Sequence, residues 1–97
     1  MTVEDHPAVE GELKAIRDYY EERVPGLGHE FIDEFERMVL RIAAAPERWM
    51  VLSGDLRRAM LARFPYVIYF RQPQADRLRI TVVKHQRRHP NHGRDRR

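Results

Sequence analysis

Apolar residues recur at helical spacing along the first half of this chain and at strand spacing along the second. From Ala8 the stripe runs Val9, Leu13, Ile16 and Tyr20, with Glu10, Glu12, Lys14, Arg17, Asp18, Glu21 and Glu22 mostly off it. Steps of three and four residues put one face of a helix against a core. Pro7 suits the first turn of that helix. "RVPGLG" then breaks the pattern, because Pro25 disfavours helix at Val24 and two glycines follow. A second stripe, Leu27, Phe31, Phe35, Met38 and Ile42, is thickened by Ile32 and Val39. It stops at "AAAPERW", where Pro46 ends it. The spacing predicts helices near 8–23 and 27–45, joined as an antiparallel hairpin.

After "SGD", which is turn chemistry, the period changes to about two. Strands are predicted near 57–64, 66–72 and 78–85, with "PQAD" looping between the last two. Pro65 sits where a strand starts or a hairpin pivots. Phe64, Tyr66, Ile68 and Phe70 alternate and face one side, and Val67 and Tyr69 face the other. "TVEDH" is a short first strand at most, with a poor pattern. Helices first and meandering strands after make an α+β domain, with the helical hairpin packed on one face of a small, mainly antiparallel sheet.

Ninety-seven residues make one domain, 1–97, with a modest core. There is no cysteine, hence no disulfide and no thiolate metal site. The acidic start "MTVEDHPAVEGEL" has no apolar h-region and reads as no signal peptide. No apolar run approaches the ~20 residues of a membrane span, so no membrane role is expected. Charge changes the picture more. Residues 1–56 hold 13 acids and 6 Lys/Arg, whereas residues 57–97 hold 2 acids and 12 Lys/Arg. The basic half should attract an acidic partner, either nucleic acid or an acidic protein segment.

The pieces "HPAVEGEL", "YYEERVPGLGHEFIDEF", "IAAAPERW", "RRAMLARFPYVIYF" and "VVKHQRRHP" follow one another over nearly the whole chain. In that order they resemble the RelE/ParE superfamily of toxins from bacterial toxin–antitoxin modules. The resemblance implies a cytoplasmic toxin neutralised by a cognate antitoxin whose C-terminal segment wraps it. It also implies a dimer or a toxin–antitoxin hetero-oligomer. RelE-like members cut messenger RNA in the ribosome, and ParE-like members poison DNA gyrase.

A RelE-like nuclease needs a base for the 2′-hydroxyl, an acid for the leaving oxygen and cations for the phosphate. Relatives of that kind hold an arginine in the middle strand, where this chain has Tyr66, which supplies no fixed charge. The end of the last strand is better stocked, with Lys84, His85, Arg87 and Arg88. His85 and Arg87 are the catalytic candidates if the chain is a nuclease, His85 because histidine titrates near neutral pH. The bland reading of His85 is a hydrogen-bonded residue at a strand end. The missing middle-strand arginine and the long helical hairpin lean toward the ParE-like plasmid-stabilisation group, a binding poison without chemistry of its own.

Arg57, Arg58, Arg63, Arg87 and Arg88 are the candidates for antitoxin or target contact, against a plain solvated sheet face. His85, His89 and His92 tempt a metal reading, but Pro90 and Gly93 interrupt the helix that would align them. No metal and no cofactor are expected. Trp49 is expected to cap the core, and Tyr19 and Tyr20 to pack in it. "NHGRDRR" has no apolar anchor, so residues 91–97 are expected to be a flexible basic tail.

Overall fold

In the computed structural model, which describes residues 1–97, the helices begin where capping chemistry puts them. His6 Nδ1 accepts the Ala8 N–H at 3.0 Å, and Pro7 opens the first helix. The elements follow as β1 (Thr2–Asp5), α1 (Pro7–Arg23), α2 (Leu27–Ala44), a 3-10 turn at Pro46–Arg48, β2 (Met50–Ser53), β3 (Leu56–Met60), β4 (Tyr66–Gln74) and β5 (Arg77–His85). Val24 is extended before Pro25, and Gly26 turns the chain at φ +89°. The Glu21 carboxylate then accepts the N–H groups of Gly26 at 2.7 Å and Gly28 at 3.0 Å. Those bonds hold its pKa below the usual carboxylate value. α1 thus ends by capping α2. Gly28 is the point of closest approach, since a Cβ there would meet the Arg17 carbonyl.

The strands form one sheet in the order β1-β5-β4-β3-β2, antiparallel except that β1 runs parallel to β5. Both helices cover one face. Val9 and Ile16 of α1 and Phe31, Phe35, Met38 and Ile42 of α2 are buried there against Ala59, Ile68, Phe70, Leu78, Ile80 and Val83. Leu13, Tyr20, Leu27, Ile32 and Val39 complete the stripes as partly buried neighbours. Each fully buried side chain of this size contributes about 1.5–3 kcal/mol. The opposite face carries a smaller apolar cluster of Leu56, Val67, Tyr69 and Val82.

Three differences from the sequence expectations have physical causes. "SGD" does not mark the entry to the sheet. It is the turn of the β2–β3 hairpin, with Gly54 at φ +54°, so a four-residue strand precedes it. β3 ends at Met60 rather than at 64, because residues 61–65 are looped, although Leu61 and Phe64 remain buried. Residues 91–97 are not a loose tail. Gly93 is buried against Val82, and the segment is bonded to the sheet through its backbone carbonyls.

Candidate partner interface and the cations around it

Period-two alternation divides the sheet residues between two faces, and that division decides which cations meet. Tyr69 pairs with Val82 but Phe70 pairs with Ile80, so Thr81 is the extra residue of a β-bulge. The bulge turns two backbone groups outward from the ladder. The Val83 N–H donates to Glu12 Oε1 at 3.0 Å, and the Thr81 carbonyl accepts from Arg96 Nη1 at 3.1 Å. Arg96 also pairs with Glu12 Oε2 at 2.8 Å. One carboxylate of α1 therefore joins the helix, the bulge and the C-terminal segment.

On the face away from the helices, two buried cations, Lys84 and Arg71, and a half-buried one, Arg79, hold that segment down. Lys84 Nζ donates to the carbonyls of His89, Pro90 and His92 at 2.9, 3.1 and 2.9 Å, and lies 4.3 Å from the Tyr69 ring centroid. Arg71 donates from Nε to the Arg96 carbonyl at 2.9 Å and from Nη2 to the Arg94 carbonyl at 2.7 Å, and pairs with Asp55. Arg79 Nε reaches the Arg97 main-chain oxygen at 2.9 Å, and its Nη1 reaches Glu4 at 3.2 Å. The Tyr69 hydroxyl donates to the Pro90 carbonyl at 3.1 Å. A buried cation without partners is costly, and these donors are satisfied.

The five arginines singled out from the sequence do not form one patch. Arg57 points to the helix side and donates to the carbonyls of Glu47 and Trp49 at 3.2 and 2.7 Å, tying the 3-10 turn to the sheet. Arg63 pairs with Glu30 of α2 at 2.7 Å, and its N–H donates to Glu34 at 3.0 Å. Arg58 lies on the opposite face against Met50 Sδ at 3.2 Å. Arg87 and Arg88 are exposed just past the end of β5. Arg58 and Arg88 alone of the five meet, across a crevice of about 80 Å³ lined also by Met60, Val67 and Pro90.

His85 faces Tyr66 across β4 and β5 with ring centroids 5.3 Å apart, edge to face. Its Nδ1 accepts the Arg87 N–H at 3.0 Å. A hollow of about 310 Å³ opens beside it, lined by Glu12, Tyr19, Tyr66, Arg88 and His92 among others. The three histidines are separately engaged. His89 Nδ1 accepts the Asn91 N–H, His92 Nε2 lies 4.0 Å from Glu12, and no group of three His, Asp or Glu side chains is arranged to hold a metal.

Tyr20 sits in the aromatic cluster with Phe31, Phe64 and Tyr66, where burial and then Tyr66 push its hydroxyl up to about 12. Burial likewise raises Tyr66. Tyr19 is different from expectation: it is 47% exposed, with the Arg23 guanidinium 3.5 Å over its ring. Exposing one face of the ring to solvent lets a cation stack on it. Trp49 packs on the core as expected, its buried Nε1 without a partner.

Sequence reasoning missed Arg71, Arg79, Glu12 and Gly93. Arg71 alternates with Val67 and Tyr69, so the strand period already placed it on their face. Gly93, at φ +79°, is the only residue type that fits so close to Val82.

Comparison with known proteins points one way. The model of the family described as the ParE toxin of type II toxin–antitoxin systems, parDE, matches residues 3–90. Among solved structures, a chain of the "Chromosomal ParDE TA system from P. aeruginosa" superposes with a TM-score of 0.75 at 17% identity. The superposition covers 88% of this chain and 95% of that one. No curated protein matches. No helix is long and apolar enough to cross a membrane.

Proposed function

This chain belongs to the ParE toxin family of type II toxin–antitoxin systems, and we propose that it arrests growth by binding and poisoning DNA gyrase in the bacterial cytoplasm. The observation that carries this reading is where the sheet cations are spent. Arg71, Arg79 and Lys84 donate into the chain's own carbonyls, and His85 Nδ1 is occupied by the Arg87 N–H. A phosphodiester cleaved on this face would first have to displace residues 89–97 from its cations, whereas a protein target needs only a surface.

Neutralisation by a cognate antitoxin belongs to the same reading. Arg58, Arg87 and Arg88 lie toward one end of the sheet, and we assign them to that contact because charge of one sign gathers there. Arg57 and Arg63 are already tied to carbonyls and to Glu30, and stand second.

The alternative is a RelE-like, ribosome-dependent messenger RNA endoribonuclease. The hollow beside His85, with Tyr66, Arg88 and His92 on its walls, is the observation in its favour. Induced expression separates the two. A gyrase poison gives a DNA-damage response, filamentation and intact messages, and His85→Ala stays toxic. Cut messages with wild type, and loss of both cutting and arrest in a folded His85→Ala chain, would overturn the proposal. A nuclease would lose roughly 10²–10⁴ in rate from that change.

A further inference from the structure

The helix-free face of the sheet is a groove occupied by the chain itself. Its floor is Leu56, Val67, Tyr69 and Val82, and its walls are Arg71, Arg79 and Lys84. Residues 89–97 form the strap that fills it, coiled through successive turns in which the N–H groups of His92, Arg94 and Arg96 donate three residues back.

The strap fits by shape and mismatches by charge. Gly93 lies on Val82 where no Cβ has room. Yet the strap's side chains are Arg94, Arg96 and Arg97 against a single acid, Asp95, and lie beside three sheet cations. The side-chain anions at hand are Asp55, Glu4 and Glu12, reaching Arg71, Arg79 and Arg96. Lys84 is 5% exposed, and its partners are three carbonyls with no carboxylate among them. A carboxylate in place of a carbonyl would add the attraction of a full opposite charge to such a bond. The apolar floor is buried without any large apolar side chain from residues 91–97.

We propose that residues 89–97 are an intramolecular stand-in for an acidic peptide segment with interspersed apolar side chains, which displaces them from the groove. Carboxylates would take over Arg71, Arg79 and Lys84, and apolar side chains would cover Val67, Tyr69 and Val82. The inference deepens the proposed function in one respect only: it rests on that reading for an antitoxin as the source of such a segment.

The test uses a fluorescein-labelled ten-residue peptide alternating leucine and glutamate, read by fluorescence anisotropy. Gly93→Ala in the full chain forces a side chain onto Val82 at a positive φ, and weakens the strap without touching a sheet cation. It should bind the peptide roughly five- to thirty-fold more tightly than wild type, the factor that one to two kcal/mol of lost competition gives. A chain ending at Pro90 should bind at least as tightly as Gly93→Ala, and is judged only if circular dichroism shows it folded. The same peptide with glutamine for glutamate should bind at least about tenfold more weakly, one lost charge-assisted pair being enough. In wild type, the glutamate peptide should raise hydrogen exchange at His92, Arg94 and Arg96.

Equal affinity for Gly93→Ala and wild type would show that the strap is no competitor. Equal affinity for the two peptides would show that the groove does not read carboxylates. Tighter binding of a ten-nucleotide oligouridylate than of the glutamate peptide would make it a nucleic-acid groove. Each result overturns the proposal, and none touches antitoxin neutralisation, which co-expression in growing cells reads directly.

Discussion

The two faces of one sheet are closed by different physics. The helix face is sealed by apolar volume from α1 and α2, which is non-directional and tolerant of hydrophobic swaps of similar size. The strap face buries four hydrophobic residues, and is otherwise held by guanidinium and ammonium groups aimed at carbonyls. Those bonds work only at fixed distance and angle. The first face therefore sets whether the chain folds. The second sets a local state that charge, pH and a competitor can move.

The sharpest way to break this contrast is to open a cavity on the helix side. Phe35 is buried between α2 and the sheet, so Phe35→Ala should cost about 3–5 kcal/mol in chemical denaturation. A loss under about 1 kcal/mol would mean the face is not the main seal. On the strap side, Gly93→Ala should cost about 1–2 kcal/mol, the usual penalty for a side chain in the left-handed region. The loss should appear as hydrogen exchange confined to residues 89–97, and exchange spreading into α1 and α2 would show the two faces to be one cooperative unit.

The smallest effect is one of pH. Burial, then Arg88 and Arg96, hold the His92 pKa below 6.5, with Glu12 of α1 pulling the other way and Lys84 of β5 adding to the repulsion. The unfolded chain then binds the proton first, so the His92 contribution is complete above about pH 6.5 and is lost as pH falls through the folded value. Strap amides should exchange faster, relative to α2, at about pH 5.5 than at about pH 7.5, and His92→Gln should remove the difference. An unchanged ratio in wild type would exclude His92 as the titrating group.

Legibility in the sequence followed the same division. The stripes through Ile16, Phe31, Phe35 and Met38, and the alternation of Ile68 and Phe70 against Val67 and Tyr69, are periodic, and periodicity survives in one dimension. β2 is hidden because its four residues are too few to show a period and lie before the turn at which the period changes. The strap was hidden for another reason. Nothing in "NHGRDRR" is apolar, and its anchors are backbone carbonyls, which every residue has. What selects it are Arg71, Arg79 and Lys84, distant in sequence, and whether they meet phosphate, carboxylate or carbonyl is decided only in three dimensions. The five arginines were legible as charge but not as position, since neighbours such as Arg57 and Arg58 diverge to opposite faces.

The parallel pairing of β1 with β5 has a temporal meaning. Thr2–Asp5 pair with Arg77–Ile80, 75 residues further along the chain. The hairpins β2–β3 and β4–β5 join near neighbours and can close early, whereas β1 must wait for nearly the whole chain and close its largest loop. β5 links β1 to the rest of the sheet and carries Lys84, the anchor of the strap. The β1 edge is therefore the last part of the sheet to be completed as the chain folds.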